Sequence, residues 1–380
     1  MSRPERPRAA SAALLGRMLA GAGLLTSGRV ERVELRHSYR THTSRIDHLD
    51  VRYSPDVPVG LPMRLFCKAA LPGVHSEVAA GSVNELHFYR RVAPRMGRDY
   101  TVPCLIAECP NAGEAILLLE DLAPTHRPGA IAPPPSRSHW RAVLEHLAGL
   151  HGLWWQSEAL AGDLVPPGPP PGTAGGPDAA RANGTRLLRA LGSRLTRDER
   201  GAYARALEWL PRLWPSFYER GPITLRFGDA HLGNFLWSRS GAAPRVRPCD
   251  WQSWQVGTPG YDLSSLIALQ FGGTRRLGWE EPLLRYYHEV LLRGGATGYE
   301  WADLWLDYRL TLFRHAVVVP SWQRHVGLPA SVWWPVLERG LCLLAELDGR
   351  RLADEAAEAP GAAAAPGISD SWRSACPRRS

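Results

Sequence analysis

The segment Leu225-Arg-Phe-Gly-Asp-Ala-His-Leu-Gly-Asn-Phe-Leu-Trp237, followed by Cys249-Asp-Trp-Gln252, sets three oxygen-bearing side chains at a telling spacing. Asp229 precedes Asn234 by five residues, and Asp250 comes sixteen after Asn234. Phosphoryl transfer asks little covalent chemistry of a protein. It needs a carboxylate to orient the attacking hydroxyl and oxygen ligands for magnesium ions that bridge the phosphates. Asp229 and Asn234 have the spacing of a base and a metal ligand within one such loop, and Asp250 supplies a second metal carboxylate. Alone, Asp229 is an ordinary turn residue, because Gly-Asp pairs are common in turns; the combination carries the reading.

A second observation lies far upstream. Of 45 basic residues in the 380-residue chain, Lys68 is the only lysine. A GC-biased genome accounts for the arginines, yet a compact ammonium reaching between phosphates is not interchangeable with a guanidinium. The surrounding pattern places it. Val30 to Tyr53 alternates apolar and polar residues about a short polar stretch and predicts a β-hairpin, and Met63 to Leu71 predicts a strand containing Lys68. Ser76 to Met96 has a helical apolar face and carries Glu85, and Val102 to Ala107 and Ala115 to Leu119 read as strands. After Glu120-Asp121-Leu122 comes a proline break at 133–135, a helix over about Ser138 to Gln156, and a mobile Pro/Gly loop over Pro166 to Pro177. A last helix is expected over Val332 to Arg350, with an Ala/Pro-rich disordered tail from Ala353.

Gly228-Asp229-x-His231-x-x-Asn234 resembles the catalytic-loop motif of aminoglycoside phosphotransferases and choline kinases, and Asp250-Trp251-Gln252 resembles their second motif. Gly257-Thr-Pro-Gly-Tyr-Asp262-Leu263 is similar to the segment next to that motif in these families, where the later Asp is a structural anchor. Leu117-Leu-Leu-Glu-Asp-Leu122 resembles the hinge between lobes, and Glu85-x-x-Phe-Tyr89 with Leu119-Glu-Asp-Leu122 looks closest to the ecdysteroid-kinase-like branch. The resemblance implies an α+β, bilobal protein-kinase-like fold, with an antiparallel sheet lobe carrying one helix and a larger, mainly helical lobe. It implies residues 1–28 as an arm and helix, 29–122 as the nucleotide-binding lobe, 123–352 as the catalytic lobe and 353–380 as the tail. It further implies ATP and Mg2+ as cofactors, Lys68 on the α- and β-phosphates, Glu85 paired with Lys68, Asp229 as base, and Asn234 with Asp250 on magnesium. Ser44, in the hairpin turn, and Glu120 and Leu122, in the hinge, complete the expected nucleotide site.

Two positions depart from that pattern. Phe227 stands where these families carry histidine, and the loop His37-Ser-Tyr-Arg-Thr-His-Thr-Ser-Arg45 has no glycine to bring amides close to phosphate, leaving Thr43 and Ser44 hydroxyls. These departures define the alternative, a non-catalytic nucleotide-binding protein on the same fold. His231 and His151 read as structural histidines. The expected partner is a small-molecule hydroxyl acceptor, whether an aminoglycoside, a sugar, a choline-like or a steroid-like alcohol. Acidic residues after Gln270, among them Glu280 and Asp307, would suit a cationic acceptor but read first as a solvated helix face. The net charge of +8 comes from scattered arginines rather than a cluster, which argues against nucleic acid as a partner. No apolar run approaches the roughly 18 to 20 residues of a membrane span. Six cysteines without regular spacing fit a cytoplasmic protein.

Overall fold

The computed structural model describes residues 11–109, 115–129, 136–162, 164, 172–218, 220–241, 244–269 and 274–359. Helix α1 (Ala12–Gly21) precedes the hairpin β1 (Val30–Arg40) and β2 (Ser44–Tyr53), then β3 (Arg64–Ala70), helix α2 (Ser76–His87), β4 (Cys104–Glu108) and β5 (Ile116–Glu120). The five strands form one antiparallel sheet in the order β1-β2-β3-β5-β4. Strand alternation divides the side chains between two faces. Leu65 and Cys67 of β3, with Ile116 and Leu118 of β5, pack under Leu15 and Leu19 of α1 in a small outer core. Leu117 and Leu119 face the other way and join the main core, and Phe66 and Lys68 share that inner face.

The remainder is mainly helical. It comprises β6 (His126–Pro128), α3 (Arg137–Leu153), α4 (Gly176–Leu191), α5 (Arg197–Leu213), β7 (Thr224–Arg226), β8 (Phe235–Ser238), β9 (Val246–Pro248) and β10 (Gln255–Gly257). The short α6 (Gly260–Leu263) leads to α7 (Thr274–Arg293), α8 (Trp301–His325), α9 (Ala330–Glu346) and α10 (Gly349–Glu358). Two small sheets, β7 with β10 and β6-β8-β9, carry the loops of interest. Among the described residues no helix is long and apolar enough to cross a membrane.

Several expected boundaries move. The helix from Ser76 stops at His87 and gives way to a wide turn over Phe88–Val92 and a 3-10 turn over Ala93–Arg95, where Pro94 lacks the amide a regular helix needs. The helix expected over Val332 to Arg350 ends at Glu346, and the expected tail from Ala353 begins inside α10. Asp348 caps that last helix through the Arg350 and Arg351 amides, Arg351 pairs with Glu355, and Leu352 is wholly buried. An Ala-rich composition misled because it hides a cap and an anchor. Residues 360–380 of that tail, the proline break at 133–135 and residues 166–171 of the Pro/Gly loop lie outside the described residues, and Pro177 of that loop falls in the first turn of α4, a position that tolerates proline.

Two buried histidines give the fold an acid limit. Burial pushes His146 down to about 4, and burial together with the neighbouring Arg314 pushes His315 down to about 3. Both are neutral in the fold and protonate in the unfolded chain below about pH 6.5. Their contribution is therefore complete above 6.5 and is lost as pH falls toward 4 and 3. Burial raises Asp307 to about 6, which opposes this trend between about 4 and 6, one proton against two. The unfolding free energy from urea titrations is expected to fall steadily from pH 7 to pH 4.5, at a net slope of about 1.4 kcal/mol per pH unit in the lower part of that range, and the midpoint with it. A midpoint that rises over the same range would contradict these assignments.

Candidate active site

Lys68 sits at the centre of the cleft between the sheet and the helical part, opposite Ile46 on β2 and Leu117 on β5. Its Nζ lies 2.7 Å from Glu85 Oε2 and donates to Asp250 Oδ1 at 2.9 Å. Burial opposes its charge, but Asp250 and then Glu85 more than offset this, so Lys68 stays protonated above its ordinary range. Helix α2 is fastened to the Asp250 loop. Glu85 Oε1 accepts the Trp251 amide at 3.1 Å, the Asn84 side-chain amide donates to the carbonyls of Gln252 and Trp254 at 3.0 Å each, and the Trp254 indole donates to Asn84 O at 2.9 Å. The Lys68–Glu85 pair is thus preset by packing.

The Asp229 loop leaves β7 through Gly228, whose φ of +85° and closeness to Ser253 leave no room for a side chain: a Cβ would meet Ser253 O at 1.8 Å. Asp262, fully buried, holds this turn by accepting the amides of Phe227 and Gly228, both at 2.7 Å. His151 Nε2 lies 3.1 Å from the same carboxylate, with Nδ1 2.6 Å from the Tyr287 hydroxyl, so it orients the anchor from within the core. Phe227 packs edge-on to Trp251 at 4.7 Å, and Trp251 stacks on Phe88 at 3.9 Å. The aromatic at position 227 therefore fills an apolar slot between the two motif loops.

The polar side chains meet at the loop tips. Asn234 Nδ2 donates to the backbone and to the carboxylate of Asp229, at 3.1 Å each. His231 Nδ1 accepts the Gly233 amide at 3.1 Å, which assigns the ring proton to Nε2, 3.6 Å from Asp229 Oδ2. The Cys249 amide donates to Asn234 O at 2.9 Å and brings the next residue, Asp250, alongside. Asp250 holds φ +68° and ψ 70°, a left-handed conformation that costs a non-glycine residue on the order of 1–3 kcal/mol and clusters at functional sites. The donor set suits magnesium. Among the described residues the Asn234 side chain engages only its Nδ2 and that of Asp250 only its Oδ1, on Lys68, and hard oxygen donors shared with phosphate are what that ion takes.

The structure brings together Lys68, Glu85, Asp229, Asn234 and Asp250 but sets three expected residues apart. Ser44 is 1% exposed and lies beneath the hairpin turn, whereas Thr41, His42 and Thr43 line the cleft. Glu120 alternates with Leu119 along β5 and so faces away from the cleft that Leu119 lines. Leu122 packs in the main core. Tyr39, Ile46 and Phe66, which no motif signalled, join Leu119 to line the sheet side of the cleft; period-2 alternation from Lys68 was the signal for Phe66. The turn itself is closed by Thr41, whose Oγ1 accepts the Thr43 and Ser44 amides at 3.3 and 3.0 Å. Amides that a glycine loop would offer to phosphate are spent there. On the helical side the cleft is lined by Tyr261, His315, Val319, Trp322, Val332 and Arg339, and neither Glu280 nor Asp307 reaches it. Glu280 is bound by Arg276, and Asp307 by Arg220 and Tyr299.

Comparison with known proteins agrees with this architecture. Among solved structures, a Ralstonia eutropha protein assigned to the aminoglycoside phosphotransferases is similar at 14% identity and a TM-score of 0.54, over 90% of this chain and 98% of that one. A choline/ethanolamine kinase family protein of Mesorhizobium loti is similar at 13% identity and 0.53, over 92% and 96%. The choline kinase LicA of Streptococcus pneumoniae is similar at 12% and 0.50, over 88% and 99%. These likenesses establish the bilobal fold and do not single out the ecdysteroid-kinase-like branch. No curated protein sequence matches the chain significantly. The family profile described as APH, phosphotransferase enzyme family, matches residues 60–305, well over half the chain and the whole stretch from Lys68 through Asp262, so the chain belongs to the phosphotransferase enzyme family.

Proposed function

We propose that this phosphotransferase moves the γ-phosphate of ATP to a hydroxyl of a small molecule. One observation carries the reading: Lys68 is held at once by Glu85 and Asp250, while Asp229 and Asn234 are joined in the neighbouring loop. Residues 29–122 then form the nucleotide-binding lobe, with the base against Tyr39, Ile46, Phe66 and Leu119, and residues 123–352 the catalytic lobe. Lys68 binds the α- and β-phosphates as a fixed point charge. Asn234 and Asp250 hold magnesium, which when bound offsets charge on the phosphates. Asp229 orients the acceptor hydroxyl and takes its proton. As the acceptor oxygen bonds to the γ-phosphorus, the bond to the β–γ bridging oxygen breaks and ADP leaves, so no phospho-enzyme forms.

The alternative, a non-catalytic nucleotide-binding protein, has one observation in its favour: Thr41 captures the turn amides. Against it counts the presence of Lys68, Glu85, Asp229, Asn234 and Asp250 together in one cleft. Thermal unfolding tests the nucleotide part of the reading. Ligand at about 100 times its dissociation constant adds about 2.7 kcal/mol, so saturating ATP with magnesium is expected to raise Tm by several degrees and ATP with a chelator by much less. No rise with either would sink the proposal.

A further inference from the structure

We infer that the acceptor is an alcohol with an apolar body and an anionic group such as a carboxylate, and not an amine. The inference rests on the phosphotransfer reading and deepens it by naming the substrate class. Beyond Asp229 the cleft runs on along α8 and α9, walled by Leu269, Val319, Trp322, Leu328, Val332 and Val336. The whole cleft encloses about 580 Å³, within the range of small-molecule sites. Among the described residues its lining carboxylates are Glu85, Asp229 and Asp250, all at the phosphate end, and Lys68 already engages Glu85 and Asp250.

At the acceptor end the formal charge is positive. Arg339 is the charged residue of that wall and has no carboxylate or hydrogen-bond partner among the described residues. Glu77 accepts the Trp322 indole at 2.8 Å but does not line the cleft. Tyr261, an aromatic of the cleft lining, is already flanked by two fully buried guanidiniums. Arg226 lies 4.2 Å and Arg314 4.9 Å from its ring centroid, and Arg314 donates to its hydroxyl at 3.1 Å. The ring is only 5% exposed and already engaged by both guanidiniums, so Tyr261 does not serve as a cation box.

Polar groups on the wall favour an alcohol with hydrogen-bonding groups of its own. Gln323 Oε1 is buried without a partner among the described residues. His315 Nδ1 lies 2.7 Å from the Thr311 carbonyl, so Nδ1 carries the proton and Nε2 remains an acceptor. Both accept from hydroxyls, and Arg339 fills the opposite role by donating to an anion.

The test uses the full chain with MgATP and three hydroxylated bodies: a ten-carbon chain, a phenylpropyl group and a steroid nucleus. Each is offered as carboxylate, methyl ester and primary amine, with kanamycin and choline alongside, and ADP release is followed. On at least one body the carboxylate is expected to exceed the amine in kcat/KM by about tenfold or more, the scale of one charge-assisted hydrogen bond. Arg339→Gln is expected to remove that preference and Arg339→Glu to invert it. A preference for the amines, kanamycin or choline overturns the inference, as does failure of every body with a chain that binds MgATP. A separate ATP titration distinguishes these failures, because a chain that binds no MgATP fails the phosphotransfer reading itself.

Discussion

Asp229→Asn is expected to lower kcat for acceptor phosphorylation by about 10²- to 10⁴-fold, the range of a positioned general base, with ATP affinity changed far less. The substitution keeps size and hydrogen bonding to Asn234 while removing the proton acceptor. The Asp229 carboxylate is half exposed and bonded only at its edge, through Asn234 Nδ2 at 3.1 Å and near His231 Nε2 at 3.6 Å, so the fold does not depend on its charge. The turn beneath it is fixed instead by Asp262 through the Phe227 and Gly228 amides. Steady-state kinetics with a calorimetric ATP titration separates the two effects. Equal loss of binding and turnover would show that Asp229 acts through structure.

Lys68→Arg is expected to cut kcat/KM for ATP by about 10²-fold or more, although the charge is kept. Lys68 Nζ reaches Glu85 and Asp250 at 2.7 and 2.9 Å from a side chain only 10% exposed, and a planar guanidinium is too long and too broad for the same gap. Lys68→Met should add a stability loss of about 3–5 kcal/mol, because Glu85 would be left buried and unpaired. Comparing the two variants by urea unfolding and by kinetics tells charge from shape. If arginine restores full activity, the ammonium-specific role is wrong.

Most of the site was legible because its parts are set by local pattern. The Gly-Asp turn, the five-residue step to Asn234 and the alternation that turns Lys68 inward are properties of short segments. The sole lysine was the strongest single clue, since in an arginine-rich chain its retention needs a geometric reason. The parts that were not legible depend on which face a residue presents or on distant partners. Glu120 sits one position past Leu119, and with period-2 alternation that single step inverts the direction of a side chain. Ser44 is two positions from Ile46 on the same strand, so alternation alone would turn it toward the cleft, and only its burial beneath the closed turn keeps it out. The closed Thr41 turn was hidden for a different reason, because a hydroxyl that binds amides two and three residues on is a matter of loop geometry. Helix α10 was missed because Leu352 finds its burial against elements far away in sequence. The guanidiniums around Tyr261 come from β7 and α8, and no spacing in the chain announces that they meet.

The central claim is that Lys68, Asn234 and Asp250 form a working site for magnesium and nucleotide phosphates. The most direct measurement is a calorimetric titration of ATP, with and without magnesium, into the native chain and into Asp250→Asn. The account predicts binding by the native chain that magnesium strengthens, and loss of most of that strengthening in the variant. Binding indifferent to magnesium in both chains, or no binding in either, would contradict it.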